Sequence, residues 1–289
     1  MPEPSGESLP YLRWSAQPDL PDGPVLLAAF GGWNDAGDAA TMAIDHLAEQ
    51  WNARPFADID PEVFFDFTTT RPEVRIDIDG RRRIDWPSNT FLGATTANGH
   101  GVVTLSGVEP QLRWRTFCDH VLGVAVAVGA RTVVTLGALL AEVPHSRPVS
   151  VFSTAYGEED AAALELLPSR YEGPTGITGV LHAACHDLGI RSAAFWAAVP
   201  TYVPSATSPK AALALVQRTT RLLDTTVDTT ELQFATDAYE HQVSELVAED
   251  EETTEYVAHL EHRYDEEPDS FSDGESLVDE VERFLRDQD

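Results

Sequence analysis

The stretch VLLAAFGGWNDAGD, Val25 to Asp38, decides the fold. Its first half is an unbroken apolar run, and a run without polar alternation suits a strand covered on both faces. Its second half turns through Gly31 and Gly32 and leads into a helical pattern from Ala36 to Gln50. This order puts Asn34 and Asp35 at the carboxyl end of a strand, where open α/β sheets take their ligands. Asp35 has the position of an N-cap and Asp38 that of the acidic residue three places on, which makes a capped turn. Alternatively, Asn34 and Asp35 hold a polar ligand or a peptide backbone. The segment is not a Gly-x-Gly-x-x-Gly fingerprint, and two aspartates would compete with a bound anion for free N–H groups.

On either side the chain continues to alternate. Val63 to Phe67 reads as a strand. Val74–Ile78 and Arg82–Trp86 read as a hairpin closed at Asp79-Gly80 by a two-residue primed turn. Val102–Gly107, Arg131–Gly137 and Arg191–Pro200 are further strands, and 110–128, 177–188 and 209–223 are helices. The expected fold is a three-layer α/β/α core with a mostly parallel sheet.

The charge distribution sets a boundary. The 289 residues carry 19 basic and 48 acidic side chains, net −29, yet Asp228 to Asp289 alone hold 22 acidic and 3 basic residues. Residues 1–225 are accordingly expected to form the core and 226–289 an acidic helical extension. Leu232, Tyr239, Leu246, Thr253 and Leu260 repeat every seven residues, and Thr236, Val243, Asp250, Val257 and Tyr264 form an offset row. The polar members meet at Asp250–Thr254, so a break is expected within Glu249–Glu252, followed after Pro268 by a short helix from Glu275 to Arg286.

Several functions fall away on composition. So acidic a chain repels phosphate backbones and anionic lipid, and Arg81–Arg83 is too short a basic run to reverse that; neither nucleic acid nor membrane is an expected partner. No apolar run reaches the length of a membrane span, and Met1–Pro10 lacks the features of a secretion signal, so the expected compartment is the cytoplasm. The sole lysine, Lys210, follows no Gly-x-x-x-x-Gly loop, and reads as solvated rather than as a Schiff-base amine. No Gly-x-Ser-x-Gly elbow occurs. Cys118 and Cys185 read as structural thiols, and His182 with His186, four apart, lack a nearby third metal ligand.

What remains is a set of strand-end loops. Glu109-Pro110 marks a helix start. His145 and Arg147 sit in a proline-stiffened loop, where a general base and a carboxylate clamp are conceivable and a shaped interface is the plainer reading. Thr175 and Gly176 close a Gly-Pro-Thr-Gly turn opening a helix. The candidate ligand or partner surface is therefore Gly32, Trp33, Asn34, Asp35, Asp38, Glu109, His145, Arg147, Thr175 and Gly176, with no catalytic group, cofactor or metal expected among them.

These motifs together resemble the PAC2 family of proteasome assembly chaperones, in its bacterial, actinobacterial form. The resemblance is carried by GWNDAGDA at 32–39, Arg71-Pro72 with RIDWP at 83–87, GVEP at 107–110, LGA at 136–138 with VPHSRP at 143–148, YEGPTGI at 171–177 and WAAVPTYV at 196–203. It implies a core like that of nucleoside phosphorylases and peptidyl hydrolases, a helical extension and self-assembly, trimeric assembly being one form. It further implies a non-enzymatic chaperone or adaptor role at proteasome subunits. Archaeal and eukaryotic relatives use a C-terminal hydrophobic-Tyr-x tail for that role, and this chain ends Arg286-Asp-Gln-Asp289. The alternative is a phosphorylase- or hydrolase-like enzyme, which requires Asn34, Asp35, His145 and Arg147 to converge on one pocket.

Overall fold

A computed structural model describes residues 9–266. In chain order the elements are β1 (Leu12–Trp14), β2 (Val25–Gly31), α1 (Ala39–Gln50), β3 (Arg54–Ile59), β4 (Glu73–Ile76), β5 (Arg82–Asp85), β6 (Asn89–Thr95), β7 (Gly101–Val108), α2 (Trp114–Ala127), β8 (Thr132–Ala141), β9 (Val151–Ala155), α3 (Glu158–Leu164), β10 (Leu167–Pro168), α4 (Ile177–Asp187), β11 (Arg191–Pro200), α5 (Pro209–Leu222), α6 (Thr230–Ala248) and α7 (Glu251–Glu266). Nine strands form one mixed sheet in the order β1-β3-β6-β7-β2-β8-β11-β9-β10, while β4 and β5 pair only with each other. The centre, β7-β2-β8-β11, is parallel. On one side β6 pairs antiparallel with β7 and β3 antiparallel with β6; on the other β9 pairs antiparallel with β11. The expected α/β fold is the observed one.

β2 explains the layering. Leu26, Ala28 and Phe30 point into a core shared with Phe117 and Val121 of α2 and Leu181 of α4. Leu27 and Ala29 point the other way, against Ile44 and Leu47 of α1 and Leu215 of α5. A side chain on either face meets a helix, so alternation disappears from the sequence. Truncating a fully buried ring such as Phe30 or Phe117 to alanine would cost about 3–5 kcal/mol.

Three local expectations are corrected. Val63–Phe67 is not a strand: Pro61–Val63 is a 3₁₀ turn capped by the Asp60 carboxylate, which accepts from Glu62 N–H at 3.1 Å. Its continuation buries Phe64 and Phe65 in the core. The strand of this region is β3, hidden by Pro55 and a β-bulge between Pro55 and Ala57. The hairpin turn is longer than a primed pair: Gly80 N–H donates to Asp77 C=O at 3.0 Å and Gly80 takes φ +76°, a type I turn followed by a left-handed glycine. The helix expected from 110 starts at Trp114, because Arg113 lies at φ 54°.

Residues 230–266 form two helices, α6 and α7, broken at Glu249-Asp250 within the expected run. Asp250 caps α7 by accepting from Thr253 N–H at 2.8 Å. Leu232 joins the α1–α5 core, and Tyr239, Val243, Val247 and Val257 pack with Val203. Leu246, which the seven-residue repeat puts inside, is exposed and Val247 takes its place. A straight helix of 3.6 residues per turn drifts by about 20° per heptad, which moves the inward position along the chain. The expected helix at 275–286 lies outside the described residues.

Candidate functional site

A cleft of about 940 Å³ opens at the carboxyl ends of the parallel strands. Its floor comes from β8, β9 and β11, with Leu139, Phe152 and Trp196; its walls are the loop after β2 and the segment leading into α4. Trp196 lies beside Gly137 in the β11–β8 register. A Cβ at Gly137 would stand 2.5 Å from the Trp196 ring, so glycine is what lets the indole lie across the strand.

The loop after β2 is pinned rather than free. Asn34 C=O accepts from Ala138 N–H at 2.9 Å, tying it to β8. The Asp35 carboxylate accepts from Ala40 N–H at 2.6 Å, from Thr41 N–H at 3.3 Å and from the Thr41 hydroxyl. It therefore caps α1 across an intervening 3₁₀ turn, Ala36–Asp38, and not a helix starting at Ala36. Burial pushes the Asp35 carboxyl above its ordinary range, opposed by those three donors. Asp38 does not complete a capping box: it sits at φ 52°, exposed on the cleft lip.

Glu109 carries the other wall. One carboxylate oxygen accepts from Asn34 Nδ2 at 3.0 Å and from Ile177 N–H at 2.9 Å. At the Gly-Pro-Thr-Gly turn the Ile177 N–H is thus taken by the chain's own carboxylate, sitting at the positive end of α4. Because Glu109 must receive the amide NH₂, the Asn34 orientation is set, and its Oδ1 is left buried without a partner. Gly176 is required there, since a Cβ would meet Asn34 Nδ2 at 2.5 Å and Glu109 at 2.8 Å. Thr175 and Gly176 line the cleft above this junction.

His182 stands in the cleft lining, with Nε2 2.9 Å from the Thr135 hydroxyl. Desolvation holds it neutral, down to about 4. His186 instead packs its ring on Tyr156 at 5.3 Å, so the pair does not face one point. Among the described residues, no group of three His, Cys, Asp or Glu side chains is arranged to hold a metal.

His145 and Arg147 do not line the cleft. His145 is buried with Nδ1 2.9 Å from the Tyr202 hydroxyl and Nε2 2.9 Å from Ser244 on α6. Burial, and then the nearby Lys210, lower its pKa. Arg147 makes a two-pronged pair with Asp265 of α7, both N···O distances 2.7 Å, and approaches Glu261 at 3.5 Å. Lys210, expected to be solvated, is nearly buried, donating to His145 C=O and pairing with Glu240. The convergence of Asn34, Asp35, His145 and Arg147 on one pocket is therefore corrected: the first two belong to the cleft and the last two hold α6 and α7. A further tie to α7 comes from Arg263, which donates to Glu142 C=O at 2.6 Å.

Sequence reasoning missed Phe152, Thr154, Tyr156 and Trp196 as cleft residues. β9 is short and reached by a proline-rich loop, so its pattern gave no strand. The usable signal was Trp196 opposite a glycine in a neighbouring strand.

The PAC2 family model matches residues 29–247. A PAC2 family protein from Streptomyces avermitilis is 41% identical, with 81% of this chain and 99% of that chain covered at a TM-score of 0.76. A proteasome-assembly chaperone homologue from Mycobacterium tuberculosis is 46% identical over the same shares, 81% and 99%, at 0.72. A protein of unknown function from Mycobacterium tuberculosis is 26% identical, covering 98% of this chain and 97% of that one at 0.83. No curated protein matches this chain.

Proposed function

The chain belongs to the PAC2 family, and on that premise we propose that it is a non-enzymatic assembly chaperone or adaptor that associates with itself and engages proteasome subunits in the cytoplasm. The carrying observation is how the cleft spends its polar groups. Asp35 caps α1 and Glu109 caps α4, while Trp33 and Tyr156 are left open to solvent on the rim. Rigid, solvent-open aromatic side chains on braced loops suit recognition of a protein surface, because they bring contact area at low entropic cost. The 46% identity to a protein named as a proteasome-assembly chaperone homologue supports the same reading. Among the described residues no helix is long and apolar enough to cross a membrane.

Division of the chain into a 1–225 core and a 226–289 extension is part of this proposal. His145, Arg147 and Arg263 then act as the clasp between the two, with the cleft as partner surface. A second reading has one observation in its favour: a cleft this size, with the buried Asn34 Oδ1 unpartnered at its wall, fits a drug-sized ligand. The test is titration of purified chain against proteasome α-subunits by size-exclusion chromatography, with Trp33→Asp as the variant. Co-elution lost on substitution supports the chaperone reading; absence of co-elution by either protein refutes it.

A further inference from the structure

The β4–β5 hairpin does not join the main sheet, and every residue from Glu73 to Ile84 is exposed. Its register divides it into two unlike faces. Glu73 opposes Asp85 and Arg75 opposes Arg83 on one face, where Arg75 and Arg83 pair with Asp85 at 3.0 and 2.7 Å. Val74 opposes Ile84 and Ile76 opposes Arg82 on the other. That second face, extended by Trp86, is a contiguous apolar stripe, with Ile76 67% exposed. Two strands alone are marginal in water, and a stripe of this kind on a soluble chain marks an interface.

The charges indicate what covers it. Five of the 18 arginines lie between Arg71 and Arg83, on a chain of net charge −29. Among the described residues, Arg71, Arg81 and Arg82 form no ion pair. A surface that complements this arm lies on α6 of the chain itself. Phe234, 70% exposed, is the most exposed large apolar side chain outside the hairpin among the described residues. It shares the outer face of α6 with Glu231, Asp237 and Glu245, at helical spacings of three, three and eleven residues. Hairpin against hairpin would instead oppose arginine to arginine.

We propose that the β4–β5 hairpin of one copy docks its Val74–Ile76–Ile84–Trp86 face on the outer face of α6 around Phe234 of a second copy. The contact joins two different surfaces, so it is head-to-tail. It rests on the self-association proposed above and names the surfaces that produce it.

Two measurements test it on the full chain. Light scattering is run on the wild type, on Ile76→Asp/Ile84→Asp, on Arg82→Glu, and on Arg82→Glu combined with Asp237→Arg. The expected result is a wild-type mass that is a multiple of 31.6 kDa, a fall to 31.6 kDa in the first two variants, and recovery in the charge swap. The substituted side chains are solvent-exposed, so folding, checked by circular dichroism, is retained. In the second measurement, Ile76→Cys protein is mixed with Phe234→Cys protein under oxidation; the native Cys118 and Cys185 are buried and silent. A covalent dimer only in the mixture supports the proposal, and one from Ile76→Cys alone overturns the α6 assignment. A wild-type oligomer whose mass the hairpin variants leave unchanged overturns the docking proposal while self-association stands. A monomeric wild type overturns both.

Discussion

Replacing Gly176 with alanine probes the junction that braces both walls of the cleft. The backbone there, φ −89° and ψ −170°, is open to any residue, so no conformational penalty arises. The cost is space. The new Cβ would stand 2.5 Å from Asn34 Nδ2, 2.8 Å from Asn34 Oδ1 and 2.8 Å from Glu109 Oε1, where ordinary contact is 3.4–4 Å. Asn34 is 1% exposed and has no solvent to swing into. Overpacking of this kind costs about 1–3 kcal/mol, and loss of a hydrogen bond to the Glu109 carboxylate adds about 1.5–3 kcal/mol. Restriction of the unfolded chain returns about 0.4–1 kcal/mol. The net expectation is a destabilisation of about 2–5 kcal/mol. Gly157→Ala is the internal control, since Gly157 also precedes a helix in extended conformation but nothing lies within 4 Å of its Cβ position. Both variants are compared with wild type by urea denaturation followed through tryptophan fluorescence. If Gly176→Ala unfolds within 0.5 kcal/mol of Gly157→Ala, the account of the Asn34–Glu109–Ile177 junction is wrong.

Other outcomes follow from the same geometry. Arg147→Ala should speed hydrogen exchange across α7 while leaving β2 and β8 protected, because it releases Asp265 and Glu261 without touching the core; equal exchange in both proteins would remove Arg147 from the clasp. His182 stays neutral when folded, down to about 4, against about 6.5 unfolded. A base with a lowered folded pKa stabilises fully above the unfolded value and loses that contribution as pH falls below it. Stability should therefore drop by about 2 kcal/mol from this group between pH 7.5 and 5, a drop that His182→Gln should flatten in pH-dependent denaturation. His145 shifts the same way, so the α6 contact at Ser244 should loosen over the range just below pH 6.5, read as faster exchange in α6. Cys118 and Cys185, pushed up to about 12 by burial, should resist a thiol reagent until the chain is unfolded.

The fold was legible where physics is local. Val25–Phe30, Val102–Gly107 and Arg191–Pro200 are strands covered on both faces, and their apolar runs say so without help from elsewhere. α5 starts at Pro209, as the pattern from 209 indicated, and Ser208 before it accepts from Ala211 N–H. Short flanking strands such as β3 and β9 were not legible, because their pairing, not their pattern, makes them strands. The site divided the same way. The loop position of Asn34 and Asp35 could be read from the strand before it. Whether His145 faced that loop depended on where α6 lay, which no spacing in the sequence encodes. Glu109 shows the limit most plainly: a residue that reads as a helix start reaches 68 positions along the chain to cap α4.

The account's central claim is that this chain engages proteasome subunits as a chaperone or adaptor. The most direct measurement is a pull-down from native lysate with the purified full chain as bait, Trp33→Asp as control, and mass spectrometry of what co-purifies. The account predicts proteasome α-subunits or their precursors with wild type and their depletion with the variant; recovery of the bait alone would contradict it.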